Sequence, residues 1–120
     1  MVIPFNIIKL SLINFLLHTS VFNRYSRYKN IWINNMSKIE IYTSPFCGYC
    51  YAAKNLLREK NTLFTEIDLS LSPEKRQEMI NRSFGVYTVP QIFINEIHIG
   101  GYNEIAALEQ IGRLDALLQK

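Results

Sequence analysis

The sequence predicts an α/β domain over residues 36–120, with elements in the order β-α-β-α-β-β-α and a four-stranded mixed sheet flanked by helices. Two observations lead to this prediction. Short segments with alternating apolar residues, typical of strands, are separated by longer ones with apolar residues three and four positions apart, typical of helices. Two strands are joined through a helix and should be parallel, whereas the last two are joined by a tight turn and should be antiparallel.

The first β-α-β unit spans residues 38–69. Lys38–Thr43 alternates isoleucines with polar residues and is predicted as a strand. A helix should begin at or beside the CGYC stretch and run to about Lys60, where Asn61 closes it. Leu63–Leu69 repeats the strand pattern. Because this strand is reached from the first one through a helix, the two strands should be parallel.

A second helix is predicted to start around Ser72. Ser72 can cap the free amides, Pro73 suits the first helical position, and Glu74 complements the helix dipole. The residues predicted to form the buried face of this helix are Met79, Ile80 and Phe84.

The C-terminal part of the chain is predicted to form a hairpin followed by one helix. Strands around Ile92–Ile94 and Ile97–Ile99 are joined by Asn95-Glu96, and Gly100-Gly101 allows a sharp turn into the helix. Apolar residues then repeat at three and four positions, at Ile105, Leu108, Ile111, Leu114, Leu117 and Leu118.

Composition and charge limit the classes of function. The chain has 120 residues, 48% of them hydrophobic and 19% charged, as expected for one small globular domain. Residues 1–35 hold four of the 13 basic residues and no acid, which leaves nine basic against ten acidic residues in 36–120. A nearly neutral domain lacks the basic face typical of nucleic-acid binding, so we expect no nucleic-acid partner.

Residues 1–35 are expected to be an N-terminal extension outside the domain. The segment is apolar but interrupted by polar residues, so we expect no stable membrane span. We expect it to be poorly structured or not translated, with Met36 as the true start. An organellar transit peptide is the alternative, because the segment has arginines and serines but no acid.

Cys47 and Cys50 are the only cysteines, and their CxxC spacing favours redox chemistry. They cannot fill a tetrahedral zinc site, and His18 and His98 lie at no metal-ligand spacing. A disulfide closing so short a loop would add little stability. Between a strand and a helix, the dipole favours the Cys47 thiolate, and Cys50 lies one turn later, close enough to attack a mixed disulfide on Cys47.

Four segments of residues 37–120 together are more specific than CxxC alone: EIYTSPFCGYC, TVPQIFI, HIGGYNE and the amphipathic C-terminal helix. On these segments the chain resembles the glutaredoxins, in particular the small dithiol glutaredoxins of bacteria. The resemblance implies a thioredoxin-like fold, glutathione as the electron donor, and reduction of protein–glutathione mixed disulfides and protein disulfides.

The resemblance also implies roles for individual residues. Cys47 is the nucleophile and Cys50 the resolving thiol. A cis Pro90 turns the backbone of Val89 toward glutathione, whose cysteinyl part pairs with it. The remaining glutathione contacts fall on Tyr49, which should form an aromatic wall beside the nucleophile, and on Thr88, Gly101, Tyr102, Asn103 and Glu104.

Three positions qualify the resemblance. Asn103 stands where the family has an acid; it can still cap the helix, but recognition of the glutathione ammonium then depends more on Glu104. Ser44 stands where many relatives have a lysine, so either the Cys47 thiolate is less stabilised or another cation, such as Lys54, replaces that lysine. His98 is expected to be structural.

Gly48 leaves a second function open. Dithiol glutaredoxins commonly have proline there, and glycine frees the loop. Cys47 from two protomers and two glutathione thiols could then ligate a [2Fe–2S] cluster, making the protein a dimeric cluster carrier or sensor. Otherwise we expect a monomer and no metal. A thioredoxin-type reductase is a weaker alternative, and we expect a cytoplasmic or other glutathione-rich compartment.

Overall fold

The computed structural model describes residues 36–119, which contain four strands and four helices. The predicted extension of residues 1–35 lies outside the described residues and stays a prediction. In chain order the elements are β1 Ile39–Thr43, α1 Gly48–Glu59, β2 Thr65–Asp68, α2 Lys75–Arg82, β3 Gln91–Ile94, β4 Ile97–Gly100, α3 Tyr102–Gln110 and α4 Leu114–Leu118.

The four strands form one mixed sheet in the order β2-β1-β3-β4, which confirms the predicted architecture. β1 pairs in parallel with β2 and antiparallel with β3, and β3 pairs antiparallel with β4. Asn95 and Glu96 both have positive φ in the turn between β3 and β4, as the tightest hairpin turns require.

Apolar side chains cover both faces of the sheet. On one face, Ile41 and Ile92 pack with Leu57 of α1 and Ile105 of α3. On the other face, Tyr42 and Phe93 pack with Met79 of α2. The sheet is therefore sandwiched between helices, and the end of β1 is held rigidly where α1 begins.

A polar cluster ties α2 to β1. The Tyr42 hydroxyl donates to Glu78 at 2.6 Å and accepts from Arg82 at 2.8 Å. The Arg82 guanidinium also pairs with Glu40 and lies 4.1 Å from the centre of the Phe93 ring. Burial and the hydrogen bond to Glu78 raise the pKa of Tyr42 to about 12, so the hydroxyl stays protonated.

The second helix differs from the prediction at both ends. It begins at Lys75, whose N–H donates to the backbone carbonyl of Ser72, and the predicted side-chain cap by Ser72 was wrong. Phe84, predicted to be buried, is 92% exposed. The reason is a Schellman motif: Phe84 follows the helix with φ 59°, and the Gly85 N–H donates to Ile80.

The C-terminal segment forms two helices instead of the single helix predicted. Gly112 has φ 72°, its N–H donates to Glu109, and the Arg113 N–H donates to Leu108, which together close α3. Ile111 is consequently exposed. The second strand is also shorter than predicted, because Leu63 lies outside it and is exposed.

Over residues 36–119, no helix is both long and apolar enough to cross a bilayer.

Candidate active site

Cys47 lies at the junction of the β1 loop and helix α1, in the N-cap position. Its backbone is extended, and its Sγ accepts a hydrogen bond of 3.1 Å from the Cys50 N–H. This amide is one of those that a helix leaves unpaired in its first turn, and the dipole there favours negative charge. The partly buried Cys47 therefore lies at the N-terminal end of the helix, next to a backbone amide that no helical carbonyl accepts.

Cys50 faces the opposite environment, because its side chain is only 2% exposed. Burial, followed by the hydrogen bond with Cys47, raises the pKa of the Cys50 thiol to about 12. Both thiols are free. Of the two, Cys47 is accessible to an incoming disulfide, and Cys50 stays a protonated thiol until the nearby sulfur has reacted.

The loop before β3, the strand next to β1 in the sheet, reaches Cys47. The Val89–Pro90 bond is cis, as the resemblance implied, and the Val89 carbonyl lies 3.8 Å from Cys47 Sγ. Pro90 in turn approaches the start of α3: a Cβ on Gly101 would lie 3.2 Å from its carbonyl oxygen. A side chain at Gly101 would therefore require the loop to move by a few tenths of an ångström.

A groove of about 450 Å³ runs between the cis-proline loop and α3. The structure brings all eight sequence-predicted glutathione residues to this groove, namely Tyr49, Thr88, Val89, Pro90, Gly101, Tyr102, Asn103 and Glu104. Sequence reasoning missed four further lining residues, Val86, Gln91, Gly100 and His98.

Gln91 and His98 connect the groove to the sheet. Gln91, which is 4% exposed, shares a hydrogen bond of 2.7 Å with His98 Nε2, and its amide donates to Thr88 Oγ1 at 3.3 Å. The His98 ring also packs on Phe93 at 5.1 Å, so the predicted structural role of His98 fits these contacts. The signal for Gln91 was its polar side chain within an otherwise apolar strand.

Two tyrosines flank the groove. The rings of Tyr49 and Tyr102 are 6.0 Å apart, and 62% of Tyr49 is exposed. The sequence predicted the aromatic wall from Tyr49 alone. Its partner comes from a helix 53 positions further on, which only the tertiary structure places beside it.

The start of α3 corrects one prediction about capping. Gly101 is the N-cap, and the Glu104 carboxylate accepts from the Gly101 N–H at 2.8 Å. Asn103, predicted to cap this helix, lies inside it at the second position, and its side chain does not do so. Glu104 takes that role, so one of its oxygens is already bound to the backbone.

Lys54, the cation considered as a replacement for the lysine absent at Ser44, is paired with an acid. Its Nζ lies 2.8 Å from Glu66, which lowers the pKa of that carboxyl. Lys54 and Cys47 do line a common second groove. The positive charge near the thiol is therefore present but largely balanced by Glu66.

The comparisons with known proteins agree with this geometry. The Glutaredoxin family model matches residues 39–99. Glutaredoxin 3 of Escherichia coli (strain K12) is 49% identical over 84 residues, covering 70% of this chain and 100% of that protein. The solution structure of glutaredoxin from Brucella melitensis is 50% identical, with a TM-score of 0.62, and covers 71% of this chain and 91% of that one. The crystal structure of a buckwheat glutaredoxin–glutathione complex is 25% identical, with a TM-score of 0.63 and coverages of 68% and 76%.

Proposed function

The chain belongs to the glutaredoxin family, and from this premise we propose that it reduces protein–glutathione mixed disulfides and protein disulfides with electrons from glutathione. Its thioredoxin-like α/β fold and its redox-active dithiol make it a thiol-disulfide oxidoreductase. One observation carries the finer proposal: the half-exposed Cys47 sulfur accepts the Cys50 N–H, beside the buried Cys50 thiol and the cis-proline loop.

Cys47 begins the reaction as a thiolate. It attacks a glutathionylated protein at the glutathione sulfur, which forms a Cys47–glutathione disulfide and releases the protein thiolate, which takes up a proton. A second glutathione thiolate then attacks the glutathione sulfur bound to Cys47. Oxidised glutathione leaves and the Cys47 thiolate is restored. Each mixed disulfide that is reduced therefore consumes one free glutathione thiol, because the other half of the oxidised glutathione comes from the substrate.

Protein disulfides take a route that needs Cys50. Cys47 forms a mixed disulfide with one substrate sulfur and releases the other. Cys50 then loses its proton and attacks Cys47 Sγ, which forms the Cys47–Cys50 disulfide and releases the reduced substrate. Two glutathione molecules reduce this disulfide in two exchanges. The high pKa of Cys50 delays its attack, because only the thiolate is a nucleophile.

The groove beside the cis-proline loop is the proposed glutathione site. The partly buried Val89, whose carbonyl lies 3.8 Å from the reactive sulfur, is placed to pair with the cysteinyl part of a peptide. The start of α3 offers backbone amides to a carboxylate, and Asn103 and Glu104 offer polar groups to the γ-glutamyl end. The Tyr49–Tyr102 pair supplies the apolar wall.

Turnover of a glutathionylated peptide, coupled to glutathione and its reductase, tests the proposal. We expect wild type and Cys50→Ser to be active and Cys47→Ser to be inactive, because only the first sulfur forms the mixed disulfide. A matched protein-disulfide substrate should require both cysteines. An active Cys47→Ser variant, or turnover that does not depend on glutathione, would contradict the proposal.

A [2Fe–2S] cluster carrier is the second candidate, and Gly48 favours it. A Cβ at Gly48 would have no atom within 4 Å, so packing does not require glycine at this position. The backbone flexibility that glycine provides is therefore available for binding a cluster. Of the two cysteines in each chain, Cys50 is buried and only Cys47 is accessible. The four thiolates of a cluster would therefore be Cys47 from two protomers and two glutathione thiols. The cluster would supply one-electron chemistry. Anaerobic reconstitution with glutathione, followed by iron and sulfide analysis, tests this, and a Gly48→Pro variant should bind less iron.

The proposal also includes the state and the location of the protein. We propose a monomer in the reductase cycle and a dimer only in the cluster-bound form. Because the dithiol must be kept reducible, we propose a glutathione-rich compartment such as the cytoplasm.

A further inference from the structure

Phe46 combines two features that the stability of the fold does not require. Its side chain is fully exposed, and its backbone has φ 59° in the turn formed by Pro45 and Phe46 just before Cys47. A glycine or asparagine would adopt this conformation at lower cost than an aromatic residue. A large apolar ring is thus held in water beside the reactive sulfur, in a strained conformation.

Phe46 belongs to a second groove, of about 440 Å³, that contains the reactive cysteine. This Phe46 groove shares no lining residue with the groove proposed for glutathione. Cys47 links the two, because it lines the Phe46 groove and its Sγ lies 3.8 Å from Val89, which lines the other. The residues lining the Phe46 groove are Ser44, Pro45, Phe46, Cys47, Gly48, Cys50, Tyr51 and Lys54.

We propose that the Phe46 groove binds the polypeptide part of a disulfide substrate and selects one with an apolar side chain next to the reacting cysteine. This inference rests on the proposed reductase function. A disulfide that reacts at Cys47 has two halves, and the Phe46 groove is the surface at this sulfur that the proposed glutathione site leaves uncovered. The covalent step is the exchange already described: Cys47 bonds to one substrate sulfur and the other leaves as a thiolate that takes up a proton.

The charges of the Phe46 groove support an apolar partner. Besides the reactive Cys47, Lys54 is its only charged lining residue, and this charge is balanced by Glu66 at 2.8 Å. Two exposed rings, Phe46 and Tyr51, lie along the groove, and Tyr51 is 65% exposed. A surface of little net charge with two aromatic rings binds an aliphatic or aromatic side chain better than a charged one.

Two peptides test the proposal. Each has one intramolecular disulfide, and they differ only in carrying leucine or serine beside the cysteines. For wild type we expect kcat/KM to be about tenfold higher for the leucine peptide, the discrimination typical of a modest apolar contact. In Phe46→Asn, which keeps a residue that tolerates positive φ, this ratio should fall to about one to two.

Phe84→Asn is the matched control. Phe84 also has φ 59° and is 92% exposed, but it lines neither groove, so the tenfold ratio should persist. Far-UV circular dichroism checks that the variants fold, and Phe46→Gly replaces Phe46→Asn if the latter does not.

The other outcomes overturn either the inference or the proposed function. A wild-type ratio near one, or an unchanged ratio in the Phe46 variant, overturns the inference and leaves the reductase function standing. Failure of wild type to reduce either peptide or a glutathione mixed disulfide overturns the proposed function itself. A wild-type dimer in sedimentation that dissociates on Phe46→Asn shows that a second copy covers the ring, which also overturns the inference.

Discussion

Gly100→Ala should destabilise the domain far more than an alanine placed at another glycine of positive φ. Gly100 has φ 126°, and a Cβ there would lie 2.6 Å from Glu104 Cγ. Gly85 has φ 103° and nothing within 4 Å of such a Cβ. Both substitutions introduce backbone strain, which costs about 1–2 kcal/mol for a residue that is not glycine. Only the first one also forces the Glu104 side chain to move.

The extra cost at Gly100 follows from what Glu104 does. Its carboxylate accepts from the Gly101 N–H at 2.8 Å at the start of α3, and losing a capping bond of this kind costs about 0.5–2 kcal/mol. Adding the clash, we expect Gly100→Ala to lower the free energy of unfolding by about 3–4 kcal/mol and Gly85→Ala by about 1–2 kcal/mol.

Urea unfolding followed by far-UV circular dichroism measures both values. A Glu104→Ala background supplies the internal control, because removing Cγ and the carboxylate removes most of the clash and the bond. In that background Gly100→Ala should cost little more than Gly85→Ala. Two results would refute the assignment of Glu104 as the group that excludes a side chain at Gly100. One is an equal loss of unfolding free energy in the two single variants, and the other is a loss for Gly100→Ala that is as large in the Glu104→Ala background as in wild type.

Three further predictions concern titratable groups. Brief treatment with iodoacetamide near pH 7.5 should modify Cys47 and leave Cys50 unmodified, because burial raises the pKa of Cys50 to about 12; peptide mass spectrometry showing equal modification would contradict this. Burial lowers the pKa of His98 in the folded protein. As the pH falls below about 6.5, His98 is therefore protonated in the unfolded chain before it is in the folded one, and the free energy of unfolding should decrease. His98→Gln should weaken this loss between pH 7.5 and 5.5 in urea titrations, and parallel pH profiles would argue against it. Tyr42→Phe removes hydrogen bonds to a carboxylate and a guanidinium and should cost about 1–3 kcal/mol, whereas Tyr87→Phe at an exposed position should cost almost nothing; similar urea midpoints for the two would rule out the role given to that cluster.

Sequence patterns predicted most of the fold because the elements reflect local chemistry. Ile39 and Ile41 alternate with Glu40, and the predicted strand is β1. Asn61, predicted to close the first helix, follows it with φ 54°. Two of the failures have one cause: Phe84 and Ile111 continue a helical apolar pattern but lie where Schellman motifs end the helices. Periodicity measures spacing, and it does not register where a residue of positive φ ends a helix.

The candidate site divides in the same way between local and long-range determinants. The sequence by itself fixed the redox pair, because the CxxC spacing and the strand-to-helix junction are local, and it placed Val89 and Pro90 by resemblance. The sequence did not predict that Cys47 and Cys50 differ in burial, because the burial of Cys50 depends on how the rest of the domain packs around it.

Only the tertiary structure could decide which residues share a surface. Tyr49 pairs with Tyr102, and the Val89 carbonyl lies 3.8 Å from Cys47 Sγ. Elements far apart in the chain make these neighbours, and a residue's partner across a sheet or between helices is set by register and packing. The sequence therefore determined the chemistry that the protein carries out, and the packing of the sheet against its helices determined the surfaces that present this chemistry to a substrate.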